Sequence, residues 1–138
     1  MTKMTKILLL ILLILCCSFV SAVSIDRLYN LYDPEHEMGI CGKTSVWLED
    51  DQLEFKLKGH SLYGYGTKDF VKTRCKSAYN TLVHSHGHDA LCEWSEIDLD
   101  TFDTKSWIRT SILICHDGYR VMAKTRGSVY ERYYNYTR

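Results

Sequence analysis

The sequence predicts an α+β fold in which a mixed β-sheet is flanked by helices within one domain. Three observations carry that expectation. Leu53, Phe55 and Leu57 alternate with Glu54, Lys56 and Lys58, the period-two pattern of a half-buried strand. Asp117-Gly118 lies between two apolar runs, a strong hairpin signal. Helix-type segments opened by capping residues alternate with strand-type segments along the chain, so the two kinds of element must share layers around one core.

The elements follow in order. Lys3 and Lys6 precede an unbroken apolar run from Ile7 to Cys17, and Val20-Ser21-Ala22 then supplies residues of the size a signal peptidase accepts. Residues 1–22 are therefore expected to be an export signal cleaved after Ala22. A retained anchor fits less well, because the run is 11 residues against roughly 20 for a bilayer span. Leu15 is too bulky for the position before a lipidated cysteine, which argues against an anchor at Cys16 or Cys17. In the remaining domain, 23–138, Ser24 caps a short helix with Ile25, Leu28, Leu31 and Tyr32 on one face, stopped by Asp33-Pro34. Met38 to Leu48 is rich in strand formers, Glu49-Asp50-Asp51 turns the chain, and the alternating segment from Leu53 returns. Gly59 to Gly66 reads either as more strand or as loop. Thr67 can cap a helix carrying Phe70, Val71, Arg74, Cys75 and Ala78. Thr81 to His84 is a short apolar strand entering a polar loop, and Ser95 stands at a helix N-cap with Asp98 three positions on. Ser111 to Cys115, the turn His116 to Tyr119, and Arg120 to Lys124 form a hairpin, with Val129 to Tyr134 as a last edge strand.

Removing 22 residues from 138 leaves 116, a common size for one compact domain. The leader takes two of the 17 basic residues and none of the 17 acidic ones, leaving a net charge near −2. That balance argues against a nucleic-acid surface or a basic membrane patch. Cys41, Cys75, Cys92 and Cys115 remain, and an even count in an exported domain favours two disulfides, with three pairings open. A cysteine zinc site would want paired C-x-x-C spacing, which the chain lacks.

The stretch that carries chemistry runs from His84 to Asp98. Residues two apart on a strand point to the same side, so His84 and His86 can place both imidazoles on one ion. Catalytic zinc wants three protein ligands and an open position for water, and Asp98 in the following helix is a natural third. Such a site also needs a carboxylate that takes a proton from the water without binding the metal. The pattern H-x-H followed by S-x-x-D resembles the JAMM motif (also JAB or MPN+) of zinc isopeptidases, and Glu37-Met38-Gly39-Ile40-Cys41-Gly42, 47 residues before His84, is similar to that family's upstream E-x-x-G-like context. The resemblance covers roughly Tyr29 to Lys124 and implies a JAB/MPN-like mixed sheet. By position, it implies that His84, His86 and Asp98 bind Zn2+, that Glu37 is the general base, and that Ser95 helps stabilise the oxyanion. It further implies a protein or peptide substrate. Gly87 stands where the family has proline, and eight residues separate His86 from Ser95, about one more than in many members. The chain is too short for the insertions that bind ubiquitin in eukaryotic members, so substrate identity stays open, as does oligomeric state.

Rival readings fail on spacing. His88 and Asp89 resemble a scrambled metallo-β-lactamase motif, but that fold needs a longer chain and the order D-H. A cupin wants a glutamate three or four residues after H-x-H, whereas Glu93 comes seven after His86. Glu35 competes with Glu37 as the base, but only Glu37 has Gly39 in register; Glu49 and Glu54 read as surface charges. Trp94 and Trp107 read as core or loop anchors, and Tyr130, Tyr133, Tyr134 and Tyr136 as packing aromatics. Asn135-Tyr136-Thr137 is a glycosylation sequon with meaning only in a eukaryotic secretory route. The alternative to an enzyme is a disulfide-stabilised module of the same fold that binds metal or a protein partner. No stable membrane anchor is expected after cleavage, and N-terminal sequencing of exported protein should begin at Val23; a start at Met1 or Cys17 would overturn the leader.

Overall fold

The computed structural model describes residues 2–18, 25–30, 32–33, 35–65, 75, 79–86 and 91–136. Among these the elements run α1 (Lys3–Ser18), α2 (Ile25–Tyr29), β1 (Met38–Glu49), β2 (Gln52–Tyr65), β3 (Thr81–Ser85), α3 (Glu96–Thr104), β4 (Thr110–Ile114), β5 (Gly118–Thr125) and β6 (Ser128–Asn135). The strands form one sheet in the order β2-β1-β3-β4-β5-β6. All neighbours are antiparallel except β3 and β4. A parallel pair requires a crossover, and the segment containing α3 supplies it. The sheet is therefore mixed, and the class is α+β.

Turn chemistry sets the two long hairpins. Asp50 and Asp51 join β1 to β2 with φ of 50° and 60°, and Arg126 and Gly127 join β5 to β6 with φ of 50° and 75°. Two-residue loops of positive φ match the right-handed twist of the flanking strands, and aspartate and glycine tolerate that conformation. The sheet curls until its two edges meet. Arg132 Nη1 on β6 donates to the Leu53 carbonyl on β2 at 3.0 Å and pairs with Glu54 at 2.9 Å, and the Tyr134 hydroxyl donates to the same carbonyl at 2.9 Å.

Each face of the sheet has its own core. On the concave face Met38, Ile40, Leu53, Leu57, Val83, Ile112, Ile114, Val121 and Ala123 are buried, with Ile25, Tyr29 and Tyr32 packed over them. Tyr119, Tyr134 and Tyr136 join that layer, Tyr119 stacking on Tyr134 at 4.9 Å and Tyr136 meeting Tyr29 at 4.5 Å. Tyr130, Tyr134 and Tyr136 thus pack on this core, and Tyr133, partly exposed on the other side of β6, lies under the Arg120 guanidinium. On the other face α3 buries Phe102 against Leu82, Ile108 and Met122. Full burial of such a ring contributes roughly 1.5–3 kcal/mol, and the Lys124 ammonium covers it while donating to the Phe102 carbonyl. Cys41 bonds to Cys75 and Cys92 to Cys115. Both bridges fit an oxidising environment.

Several boundaries differ from the sequence reading. The first short helix ends at Tyr29, before Asp33, whose carboxylate instead caps the Glu35 amide at 2.9 Å. The Gly59–Gly66 alternatives resolve as strand up to Tyr65. The helix expected after Thr67 lies outside the described residues apart from Cys75, as do the cleavage site and Pro34. α1 covers the N-terminal apolar run and leaves Ile7 to Leu12 exposed; among the described residues no helix is long and apolar enough to cross a membrane. Gly118 opens β5 and does not form the turn's centre. A Cβ there would lie 2.2 Å from the Tyr134 carbonyl oxygen and 2.6 Å from the Tyr133 hydroxyl, so close approach of β6 requires the glycine. Gly118→Ala should destabilise the domain by about 1–3 kcal/mol, the usual cost of overpacking, read as a lower midpoint in urea. An unchanged midpoint would mean that β6 does not pack there.

Candidate metal centre

Alternation places the candidate residues on one face. Val83 belongs to the concave core and Leu82 to the α3 core, so His84 points with Leu82 toward α3. On β1, Met38 and Ile40 face the concave core, which leaves Gly39 and Glu37 on the α3 side. Gly39 pairs with His84. Continuing that register by two residues brings Glu37, just before β1, level with His86.

α3 supplies the third candidate ligand through its own cap. Ser95 has extended backbone, its Oγ accepts from the Asp98 amide at 3.1 Å, and Asp98 Oδ2 accepts from the Ser95 amide at 2.8 Å. This reciprocal capping box satisfies two donors at the helix start and holds the carboxylate against the positive end of the helix dipole. Asp98 Oδ1 then faces His84 Nε2 at 3.1 Å, and Oδ2 lies 3.4 Å from His86 Nε2.

The His84 ring is 4% exposed as a residue, yet neither of its nitrogens makes an aligned hydrogen bond. Nε2 is near Oδ1 without pointing along a donor–acceptor line, so the contact is electrostatic. A buried ring nitrogen without an aligned partner is costly, and a cation between the groups would take up the Nε2 lone pair. Ligands about 2.0–2.2 Å from a tetrahedral zinc stand about 3.3–3.5 Å from each other; the two histidine–carboxylate distances, one on each Asp98 oxygen, are close to this, and the candidate ligand atoms all lie within 4.8 Å of one another. His84, His86 and Asp98 thus form a group that can hold a metal ion.

His86 is oriented from outside the group. Its Nδ1 lies 3.2 Å from the Leu91 carbonyl, and because a carbonyl only accepts, the proton belongs on Nδ1 and the lone pair on Nε2. Burial pushes the His86 pKa down, but Asp98, the Leu91 carbonyl and the charge of Glu37 outweigh it and raise the pKa above its usual 6.5. Burial likewise pushes Asp98 up, and contact with His84 and His86 reverses this, holding the carboxyl well below the ordinary range. The influence of Glu37 on His86 places a negative charge beside the ligands from a side chain that is half-buried. Glu35, the other candidate base, is exposed. Ser95 is exposed at the mouth of the group, its hydroxyl proton not committed to the cap.

Two supports were not foreseen. Ser85 is fully buried and its Oγ accepts from the Met38 amide at 2.9 Å, anchoring the chain just after Glu37. A serine two residues after Val83, hence on the same side of β3, was the available signal. Trp94 lies 6.0 Å from the His84 ring, and its Nε1 donates to Glu131 at 3.1 Å. Glu131 also pairs with Arg120 at 2.8 Å. Trp94 is thus a loop anchor that walls the site, whereas Trp107 is exposed under Lys105. Glu54 pairs with Arg132 across the sheet edges. His88 and Asp89 lie outside the described residues.

No known protein family, curated protein or solved structure matches this chain.

The raised His86 pKa has a definite sign. In metal-free protein its contribution to stability is fully present below pH 6.5 and is lost as pH rises through the higher folded value. Metal binding needs the neutral ring, so stabilisation by added zinc should grow over the same rise. Melting curves of wild type and His86→Gln, in chelator and in zinc, should show these opposite trends. A wild-type advantage in chelator that increases with pH would contradict the assignment.

Proposed function

We propose that the chain is an exported zinc metallohydrolase that cuts a peptide or isopeptide bond, with roles as the JAMM resemblance assigns them. The observation that supports this reading most is the His84 ring, buried without an aligned hydrogen bond and 3.1 Å from the carboxylate that also meets His86. Two imidazoles and one carboxylate are a donor set that suits zinc, and three ligands leave a position for water and substrate, as catalytic sites do. The disulfides and the N-terminal apolar run support export.

Zinc, when bound, would polarise the scissile carbonyl and lower the pKa of water toward neutrality. The chain's own residues do the rest. His84, His86 and Asp98 fix the ion, His86 in the tautomer that its bond to Leu91 dictates. Glu37, outside the ligand group, takes the proton from the attacking water and delivers it to the leaving amine. Ser95 accepts from Asp98 through its lone pair and keeps a hydroxyl proton to donate to the oxyanion. Ser85 holds the backbone beside Glu37, keeping the base level with His86.

Glu37→Gln separates base from ligand. It keeps the shape and one acceptor but cannot take a proton. The purified protein should carry one zinc per chain, lost in His84→Ala and in His86→Ala. Glu37→Gln should retain zinc and melting temperature while turnover on peptide or isopeptide libraries falls by about 10²–10⁴-fold. Turnover that survives Glu37→Gln would remove the mechanism, and zinc that survives both histidine substitutions would remove the site. Zinc-loaded wild type inert on every library would favour the binding module.

A further inference from the structure

His86 is held from two sides by carbonyls that adjoin the two halves of one disulfide. Its backbone N–H donates to the Ile114 carbonyl at 3.1 Å, and its Nδ1 to the Leu91 carbonyl at 3.2 Å. Ile114 directly precedes Cys115, Leu91 directly precedes Cys92, and these two cysteines are bonded to each other. The bridge therefore fixes the spacing of both acceptors of a single ligand.

The two acceptors differ in what else holds them. Ile114 ends β4 and is fully buried, so the sheet keeps it in place. Leu91 is 74% exposed and belongs to no helix or strand. Its carbonyl depends on what anchors Cys92, namely the disulfide and Arg120, whose Nε donates to the Cys92 carbonyl. Losing the Leu91 contact would let neutral His86 divide between two tautomers, and only one presents an Nε2 lone pair to the group. Partners of this kind outside the ligand set typically tune metal affinity 10–100-fold.

We propose that the Cys92–Cys115 disulfide is a positioning element of the metal centre, so that metal affinity depends on the oxidation state of this bond. The inference rests on the metal-site reading above. Reduction by a trialkylphosphine balances simply. The phosphine loses two electrons and becomes a phosphine oxide with oxygen from water, and the two protons of that water go to the sulfurs as two thiols. Cys41–Cys75 is the internal comparison, since Cys41 pairs with Leu82, two residues along β3 from His84.

Zn2+ affinity is to be measured by competition with a chromophoric chelator at pH 7.5 for wild type, Cys92→Ala/Cys115→Ala and Cys41→Ala/Cys75→Ala. Wild type is measured first, and its failure to bind would fall on the metal reading and not on the disulfide. Given binding, the first double variant should weaken it at least tenfold and the second should leave it within about threefold. In metal-free protein the ¹⁵N signals of His86 should show one tautomer in wild type and a mixture in the first variant. Equal effects of both pairs, or a single tautomer in each, would overturn the proposal. If the first variant does not fold, phosphine reduction of native protein followed by alkylation and mass spectrometry gives the same answer. Zinc should slow reduction of Cys92–Cys115 and leave Cys41–Cys75 unaffected, and equal rates with and without zinc would sink the idea.

Discussion

The pairing of β3 on both sides holds the sheet together, because all five of its residues are buried and in the strand order it lies between the β1–β2 hairpin and the β4–β6 meander. Its antiparallel ladder to β1 runs from Gly39–His84 to Gly42–Thr81, and its parallel ladder to β4 from Thr81–Thr110 to Ser85–Ile114. A strand buried on both faces must satisfy every backbone group through its neighbours. β3 does so, and its side chains then belong to two cores at once. Val83 goes to the concave layer, while Leu82 and His84 go toward α3. The His84–His86–Asp98 group comes together because a strand so constrained carries a histidine toward the helix that crosses over it.

Polar side chains finish what the ladders leave undone. Where the β1–β3 pairing ends at Gly42–Thr81, Asn80 takes over. Its Oδ1 accepts from the Thr44 amide and its Nδ2 donates to the Thr44 carbonyl, each at 2.9 Å, as a paired strand residue would. Its own carbonyl receives the Arg109 and Thr110 amides, tying the start of β4 to the same point. Ser85 does the corresponding work at the other end by accepting from Met38. Buried polar groups are tolerated when paired in this way. The His84 nitrogens, like the Thr44 and Thr110 hydroxyls, have no such aligned partner, and His84 is the one of these three that lies in the group able to hold a metal ion.

The two faces of the sheet divide the labour. The concave face is a layer of aliphatic and tyrosine side chains closed by contacts between β6 and β2, and it supplies most of the burial. The α3 face carries the smaller core, both disulfides and all the candidate ligands. A site on the thinner layer needs covalent and electrostatic bracing. The Arg120–Glu131–Trp94 chain and the Cys92–Cys115 bridge supply it around His84 and His86.

Much of this was legible in the linear chain, because period and capping chemistry report which face a residue takes. The alternation from Leu53, the Ser95 cap and the shared side of His84 and His86 follow from spacings of two or three residues, the runs that became β1, β4 and β6 from their strand-forming composition, and Asp98, twelve residues beyond His86, joined the pair through the motif resemblance. Such spacing says nothing about partners far along the chain. The parallel pairing of β3 with β4, the choice of one disulfide pairing among three, and the contact of Ser85 with Met38 across 47 residues of sequence depend on which strands become neighbours. Gly118 shows the same limit at one position. Asp-Gly announces a turn, but the glycine is required because the Tyr134 carbonyl of the next strand passes where its Cβ would be. Local sequence determined the elements and the faces they present, since those depend on backbone geometry within a few residues. Strand order, crosslinks and the bracing of the metal group were decided by the tertiary structure, since they depend on which buried surfaces can close on one another.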